Sequence, residues 1–402
     1  MNTAHYLDNA ATSWPKPDVV YETMDSSFRN MFSPKRGTGK ASREGSSRLM
    51  QCRRTLADFF NIPEPERICF TSGCTHALNL VIQAFPWHSG DEVIISAVEH
   101  HALSRPIRKM VRERGIHLHV VPYTDEIPFD LAYLENLLST RPNVRLIATT
   151  HASNVIGCVL PVQQIGGLAR KHGVPYLLDA AQSSGVLPVD VQAMNIDFMA
   201  LPAHKSLYGP PGVGAIYMGD TSHLETNLSF NTFMEGGTGG DSGVHPMSAE
   251  PPSGFEVGTI PLFLIEAFAA GVSWVQQNGL ERIHQHEIAL LNRLLSGLQQ
   301  LPEVKIYGHQ RVEEKTPVVS FNVAHYTPEE AGRILHDDYG IALRAGFHCA
   351  PMAHEAIGTL GPVGRESEGG TVRASLGYYT TEADVDAFLY AVQQLVRQQA
   401  TV

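Results

Sequence analysis

Seven short apolar runs, most of them separated by stretches of helical periodicity, constrain this 402-residue chain more than any other feature. From about Ile68 onward the runs are Arg67 to Thr71, Glu92 to Ser96, His117 to Pro122, Arg145 to Thr149, Tyr176 to Asp179, Phe198 to Leu201 and Gly214 to Met218. Each has the length and apolar continuity of a buried strand. Between them Ala77 to Phe85, Leu103 to Arg114, Leu131 to Leu138 and Ile165 to His172 read as helices, the last two with apolar residues at three- and four-residue spacing. Alternation of this kind implies crossover units and a mostly parallel sheet, so the expected fold class is α/β, with a seven-stranded sheet flanked by helices.

Beyond Pro261 the pattern changes. Two helical stretches (Leu262 to Gln277, Leu280 to Leu301) lead into strands Val304 to Tyr307 and Val318 to Val323. Helix Pro328 to Tyr339, strands Ile341 to Arg344 and Thr371 to Tyr378, and helix Glu382 to Arg397 follow. These elements suit a smaller α+β domain. A chain of this length exceeds what one core usually serves, and we expect a large domain over 15–265 and a small one built from 1–14 and 266–402. The Gly-, Pro- and Ser-rich stretch from Asn231 to Thr259 reads as a long loop covering a site.

Composition removes several function classes. The formal net charge is −11, from 30 Lys plus Arg against 41 Asp plus Glu, and no basic run stands out, so neither nucleic acid nor membrane is expected as a partner. Residues 1–8 carry no basic stretch followed by an apolar core, and no apolar run reaches spanning length, which points to the cytosol. Five scattered cysteines (Cys52, Cys69, Cys74, Cys158, Cys349) without a Cys-x-x-Cys pair fit neither a disulfide framework nor a zinc site. His117-x-His119 and His284-x-His286 each lack a third ligand, so no metal is expected.

The residues with chemical promise fall at strand ends. Lys205 lies between a strand and the glycine-rich segment Gly209 to Gly214, where a deprotonated amine could form a Schiff base; a surface lysine is the plainer alternative. Asp179 closes an apolar strand at the carboxyl edge, where open parallel sheets bind ligands. It could pair with a protonated ring nitrogen, or merely cap a helix. Thr71-Ser72-Gly73-Cys74-Thr75-His76 precedes a helix and could cradle a phosphate. His100 could stack on an aromatic cofactor, and Asn154 could bond a ring hydroxyl or a substrate carboxylate. Five such groups at successive strand ends are much less expected by chance than any one alone.

These residues carry a family resemblance. Tyr6-Leu7-Asp8-Asn9-Ala10-Ala11-Thr12, followed in order by the Thr75, His100, Asn154, Asp179, Gln182 and His204-Lys205 blocks, resembles the cysteine desulfurase and selenocysteine lyase branch of the class V aminotransferases, which are fold-type I pyridoxal-phosphate enzymes. The resemblance implies pyridoxal 5'-phosphate as cofactor, held by Lys205, which also acts as general base, with Asp179 at the pyridine nitrogen, Gln182 at the ring oxygen and His100 stacked on the ring. Cys74, Thr75, His204 and Thr259 would surround the phosphate. In relatives the threonine that Thr259 resembles reaches across a dimer interface, implying a homodimer with shared active sites. Arg373, with Asn154 and Arg344, would bind the substrate carboxylate, and Cys349 would receive sulfur as a persulfide, activated by positive charge from His348 and Arg344. A sulfur-acceptor protein could follow. Rival readings are a selenocysteine lyase, a carbon-sulfur lyase acting on a cysteine conjugate, or an idle scaffold. Two departures from the family pattern are Arg36-Gly37-Thr38-Gly39, which lacks a histidine, and the Cys74 and His76 replacements.

Overall fold

The computed structural model describes residues 5–30, 34, 37, 39–224, 228–239, 247–248, 250–361 and 369–399. Parts of the 231–259 loop and Arg36 and Thr38 of the 36–39 segment lie outside them. In the amino-terminal two-thirds the elements are β1 (His5–Tyr6), α1 (Asp18–Arg29), α2 (Lys40–Phe60), β2 (Ile68–Thr71), α3 (Cys74–Ala84), β3 (Glu92–Ser96), α4 (His101–Arg114), β4 (His117–Val121), α5 (Leu131–Thr140), β5 (Val144–Thr150), α6 (Val162–Lys171), β6 (Tyr176–Asp179), β7 (Phe198–Pro202) and β8 (Gly214–Met218). The remainder holds α7 (Leu262–Asn278), α8 (Leu280–Gln299), β9 (Val304–Tyr307), β10 (Val318–Val323), α9 (Pro328–Asp337), β11 (Ile341–Ala342), β12 (Arg344–Gly346), α10 (Pro351–Ala356), β13 (Thr371–Ser375) and α11 (Glu382–Gln399).

Seven strands form one sheet in the order β2-β8-β7-β6-β5-β3-β4. Only β8 runs antiparallel to its neighbours, so the expected mostly parallel seven-stranded sheet is present. Strands β2, β3, β6, β7 and β8 are buried along their whole length, which is why they read as continuous apolar runs rather than as alternation: helices cover both faces. The second sheet, β12-β13-β10-β9, is antiparallel throughout. Its core gathers Leu291 and Leu294 of α8, Phe321 of β10, Leu335 of α9 and Phe388 of α11.

Three local departures from the sequence reading have physical reasons. Helices α1 and α2 precede the alternating region; α2 buries Leu49, Cys52, Leu56 and Phe60, an i, i+3, i+7, i+11 stripe diluted by charged neighbours. The run Ile341 to Arg344 is not one strand: β11 pairs in parallel with β1, whereas β12 pairs with β13 in the other sheet. Strand β13 ends at Ser375 because the chain then turns, with the Leu376 N–H donating to the Pro317 carbonyl and the Thr380 N–H to that of Gly377. Helix α7 spans residue 265, and its Leu262, Phe268 and Val272 belong to the core of the seven-stranded sheet.

Two glycines allow the segment after β7 to be wedged in place. A Cβ at Gly271 of α7 would lie 2.3 Å from the Leu207 carbonyl oxygen, and one at Gly185, which has φ +88°, would lie 2.2 Å from that of Ser206. No other residue admits such backbone approach. Elsewhere Arg53 of α2 and Glu256 form a buried ion pair, and Glu256 Oε1 also accepts the Phe70 N–H at 2.8 Å, tying the 255–259 segment to β2. No helix among the described residues is long and apolar enough to cross a membrane.

Glu287 of α8 is 1% exposed, and its Oε2 finds no partner among the described residues. Burial pushes its carboxyl from the usual 4.5 up to about 8. A carboxyl with a raised folded-state pKa binds its proton more tightly when folded. Its contribution is therefore complete below pH 4.5 and lost as pH rises toward 8. We predict that denaturant titrations will show Glu287→Gln gaining stability relative to the native chain across this window, by about 1.4 kcal/mol per pH unit at most. Parallel pH profiles for the two proteins would exclude this.

Candidate active site

All five loops that leave the carboxyl ends of β2, β3, β5, β6 and β7 contribute to one cavity of about 390 Å³. This is where an open parallel sheet can offer side chains and helix termini to a ligand without breaking its ladder. Among the residues singled out in the sequence, Cys74, Thr75, His100, Asn154, Asp179, Gln182, His204, Lys205, Arg344 and Arg373 all line it. Cys349 lines an adjoining groove that shares Thr75 and His100 with the cavity. Thr259 is exposed and is not among the lining residues of this chain.

Lys205 follows β7 on a segment held by its carbonyl, which accepts the Tyr208 N–H at 2.8 Å and the Ser13 hydroxyl at 2.8 Å. Burial lowers the pKa of its amine, the charges of Arg373 and Arg344 lower it further, and the attraction of Asp179 does not offset them. Asp179, 2% exposed, accepts the Ala181 N–H at 2.9 Å and the Cys74 thiol at 3.4 Å. Burial raises its pKa against the opposing effects of that N–H and of Lys205. His100 caps α4, its Nδ1 accepting the Ala102 N–H at 3.0 Å, so its proton sits on Nε2. Burial first, and then the Lys205 charge, drive it down to about 3, leaving a neutral ring.

One corner of the cavity contains Arg373, 1% exposed. It donates from Nη1 to the Asn154 carbonyl at 3.0 Å and from Nη2 to Asp8 Oδ1 at 2.5 Å. Its Nε is buried with no partner among the described residues. Gln182 donates to the Ala10 carbonyl at 3.1 Å.

Cys349 sits on a loop in unusual backbone conformation: His348 and Cys349 have φ of 50° and 58° in succession. For residues with a Cβ the left-handed region costs about 1–2 kcal/mol each, so the loop must be held from outside. Asn154 Nδ2 donates to the His348 carbonyl at 2.8 Å, the His101 N–H donates to the Cys349 carbonyl at 2.8 Å, and the His348 ring meets the Thr371 carbonyl and hydroxyl at 3.0 and 3.1 Å. The thiol itself is exposed, with Arg344 Nη2 3.2 Å from Sγ. One expectation needs correcting here: His348 is 1% exposed, and burial drives its pKa well below the usual value, so its ring is neutral. It braces the loop, and the cation beside Cys349 is Arg344.

Two residues escaped the sequence reading. Glu99 is fully buried and accepts the Thr150 N–H on both oxygens at 3.0 Å, joining the turn before His100 to β5. Lys16, whose pKa burial lowers to about 7, donates to the His204 carbonyl and to Ser13 Oγ, each at 2.7 Å. Glu99 was visible beside His100; Lys16, between two prolines, gave no signal. Among the described residues no group of three His, Cys, Asp or Glu is placed to hold a metal; His119 pairs with Glu92 and His286 meets the Thr380 carbonyl.

The donor set fits pyridoxal phosphate. The first N–H groups of α3, unpaired within any helix, with the Thr75 hydroxyl suit a phosphate; a buried carboxylate suits a protonated ring nitrogen; the flanking His100 and Ala181 suit a flat ring; the unpartnered Arg373 Nε suits a carboxylate. A parallel sheet presenting such a lysine and aspartate at its carboxyl edge has the architecture of the fold-type I enzymes that use this cofactor. The chain belongs to the class-V aminotransferase family, whose description matches residues 5–388. It is 34% identical to a cysteine desulfurase of Serratia proteamaculans, over 97% of this chain and 93% of that one. It is 32% identical to a probable cysteine desulfurase of Synechocystis, over 98% and 91%. The apo structure of a cysteine desulfurase from Thermococcus onnurineus aligns with a TM-score of 0.87 at 31% identity, covering 98% of this chain and 95% of that one.

The Arg344 contact yields a direct expectation. Arg344→Gln should slow iodoacetamide alkylation of Cys349 at pH 7 by roughly tenfold, the equivalent of one charge-assisted hydrogen bond. An unchanged rate, followed by peptide mass spectrometry, would mean that the guanidinium does not activate the thiol.

Proposed function

We infer that the protein is a pyridoxal-phosphate-dependent cysteine desulfurase, converting L-cysteine to L-alanine while sulfur passes to Cys349 as a persulfide. The observation that carries this reading is the placement of Cys349: an exposed thiol on a braced loop, contacted by an arginine that also lines the cavity of Lys205 and Asp179. A plain aminotransferase has no use for a nucleophile there.

In this reading Lys205 binds the cofactor covalently, the first turn of α3 with Thr75 and His204 holds its phosphate, and Asp179 and Gln182 hold its ring. When bound, the cofactor supplies an electron sink for the substrate's α-carbon. Arg373, its Nε free, orients the substrate carboxylate beside Asn154. The lowered pKa of Lys205 leaves its amine able to take the α-proton and later return one. His100, neutral with its proton on Nε2, covers the ring without adding charge. The Cys349 thiolate then attacks the substrate sulfur: a sulfur-sulfur bond forms, the carbon-sulfur bond breaks, and its electron pair stays with carbon, which is protonated to the methyl of alanine. Cysteine and one enzyme thiol thus become alanine and one enzyme persulfide, with no external oxidant.

We further read the assembly as a homodimer in which Thr259 serves the partner's phosphate site; its exposure on its own chain and the exposed Tyr21 and Phe28 of α1 support this. A thiol that must remain reduced between turnovers suits a reducing compartment such as the cytosol.

Incubation of the holoenzyme with L-cysteine and a thiol reductant should give alanine and sulfide in equal amounts, and neither with Lys205→Ala. Cys349→Ser should keep the cofactor's absorbance yet form no persulfide. Pyruvate and ammonia in place of alanine would reassign the chain to an eliminating lyase, and selenocysteine turned over with cysteine left intact to a selenocysteine lyase. Full cysteine desulfuration by Cys349→Ser would remove the role of that thiol.

A further inference from the structure

A second cavity, of about 490 Å³, opens at the edge of the seven-stranded sheet opposite to Lys205. Its walls are the end of α5, the start of β5, the end of α6 and the loop before β6, and its lining includes Arg141, Arg145, Arg170, Lys171, His172 and His223. No Asp or Glu lines it among the described residues, on a chain whose acids outnumber Lys plus Arg by 41 to 30. Helix ends explain part of this charge, since Arg170 and Lys171 in the last turn of α6 offset the negative end of its dipole. They do not explain why so much of it is left unpaired. Lys171 pairs with Glu135 at 2.6 Å and His223 with Asp197 at 3.2 Å. Arg141, Arg145 and Arg170 form no ion pair among the described residues. Asp197, the acid whose charge Arg170 feels, is already engaged by His223 and by the Tyr176 N–H at 2.8 Å. The His172 Nε2 is also buried and meets no partner among the described residues. With the two pairs neutral and about half a negative charge at each helix end, three free guanidinium groups leave a surplus of about two positive charges.

We propose that this cavity binds a small organic phosphate. A guanidinium fork takes two phosphate oxygens at once and keeps its charge at any working pH. The cations line one concavity rather than a strip across the surface, which suits a compact anion. Its volume lies within the range of about 300–1,000 Å³ usual for small-molecule sites. Leu138, Val144 and Val174 supply an apolar wall for the organic part of the ligand. The cavity is separate from the one that holds Lys205: Pro175 of its lining and Asp179 of the other are four residues apart, roughly 13 Å along β6, at opposite ends of the strand. Occupancy here therefore does not depend on what Lys205 and Cys349 do.

The test is isothermal titration calorimetry of the cofactor-loaded protein with ADP, inorganic pyrophosphate and citrate at about 0.1 M salt, where surface charge is already partly screened. ADP and pyrophosphate should each bind at one site per chain, ADP the more tightly. Arg145→Gln/Arg170→Gln should weaken both by at least about tenfold, while the cofactor's absorbance and the turnover of L-cysteine stay unchanged. Should the double variant fail to retain cofactor, Arg141→Gln, at an exposed position, carries the same expectation with a several-fold weakening. Bound ADP should also protect the amides of residues 141–145 and 170–175 from hydrogen exchange. No saturable binding, affinities unchanged in both variants, or protection confined to the loops of Thr75 and Lys205 would overturn the proposal. Citrate binding as tightly as ADP would reassign the cavity to polycarboxylates, and ADP binding no more tightly than pyrophosphate would remove the organic part from its ligand.

Discussion

Asn154 holds the two halves of the site in register. It follows β5 at the carboxyl edge of the large sheet and is 5% exposed. Its carbonyl accepts from Arg373 of β13, and its side-chain amide donates to the carbonyl of His348 in the cysteine loop. Lysine and aspartate come from the seven-stranded sheet, arginine and cysteine from the four-stranded one, and each sheet has its own hydrophobic core. Apolar packing is non-directional and would tolerate small slippage between them. Two buried hydrogen bonds of fixed geometry from one residue do not. Asp8 adds a second tie, since the amino-terminal strand pairs with β11 and delivers a carboxylate to the same guanidinium. Ser13 and Lys16 then reach back to the carbonyls of His204 and Lys205. The twelve residues from His5 to Lys16 thereby stitch β11 and β13 to the lysine loop.

Within that enclosure, desolvation decides the protonation pattern more than pairing does. For Lys205 and Asp179 the mutual attraction favours the charged form of each, yet burial is the larger effect on both. The same cause keeps His100, His204 and His348 neutral. The guanidinium groups retain their charge, Arg373 even though burial lowers its pKa. An anionic ligand therefore meets fixed positive charge at Arg344 and Arg373 and, at Lys205, an amine whose proton burial makes easier to lose. Exchanging either arginine for lysine would substitute a group that can release its proton under the same desolvation.

The strands and most of the site were legible in the sequence because parallel strands buried on both faces must be apolar throughout, and because ligand groups collect where they end. Lys205, Asp179, His100 and Asn154 are found where the strand ends placed them. Helix α2 was harder to see, since its apolar stripe is narrow and crossed by Arg48, Arg53 and Arg54. The split of Ile341 to Arg344 between two sheets leaves no trace in composition. Neutral His348 was unreadable for a different reason: charge state follows from burial, and burial from tertiary contacts. The second cavity escaped because its cations come from separate elements, Arg141 and Arg145 from around the start of β5 and Arg170 from α6. Only the fold brings them together.

The cysteine loop shows how a strained backbone and an exposed nucleophile can coexist. Two consecutive left-handed residues would relax in a free loop, at a gain of about 1–2 kcal/mol each. Here the carbonyls of both, together with the His348 ring, are fixed by Asn154 beyond β5 and by partners on α4 and β13. Those three anchors act on the backbone and on the preceding side chain, never on the thiol. Among the described residues Sγ has one hydrogen-bond partner, Arg344, so its freedom is that of one χ1 rotation on a rigid base. The role proposed for this thiol, meeting a substrate inside the cavity and then releasing sulfur outward, would be served by that combination: a fixed Cα, so the reacting distance is reproducible, and an exposed side chain. Anchoring through carbonyls supplies it without burying the sulfur, since burial raises the cost of its charged form, as it does at Cys74.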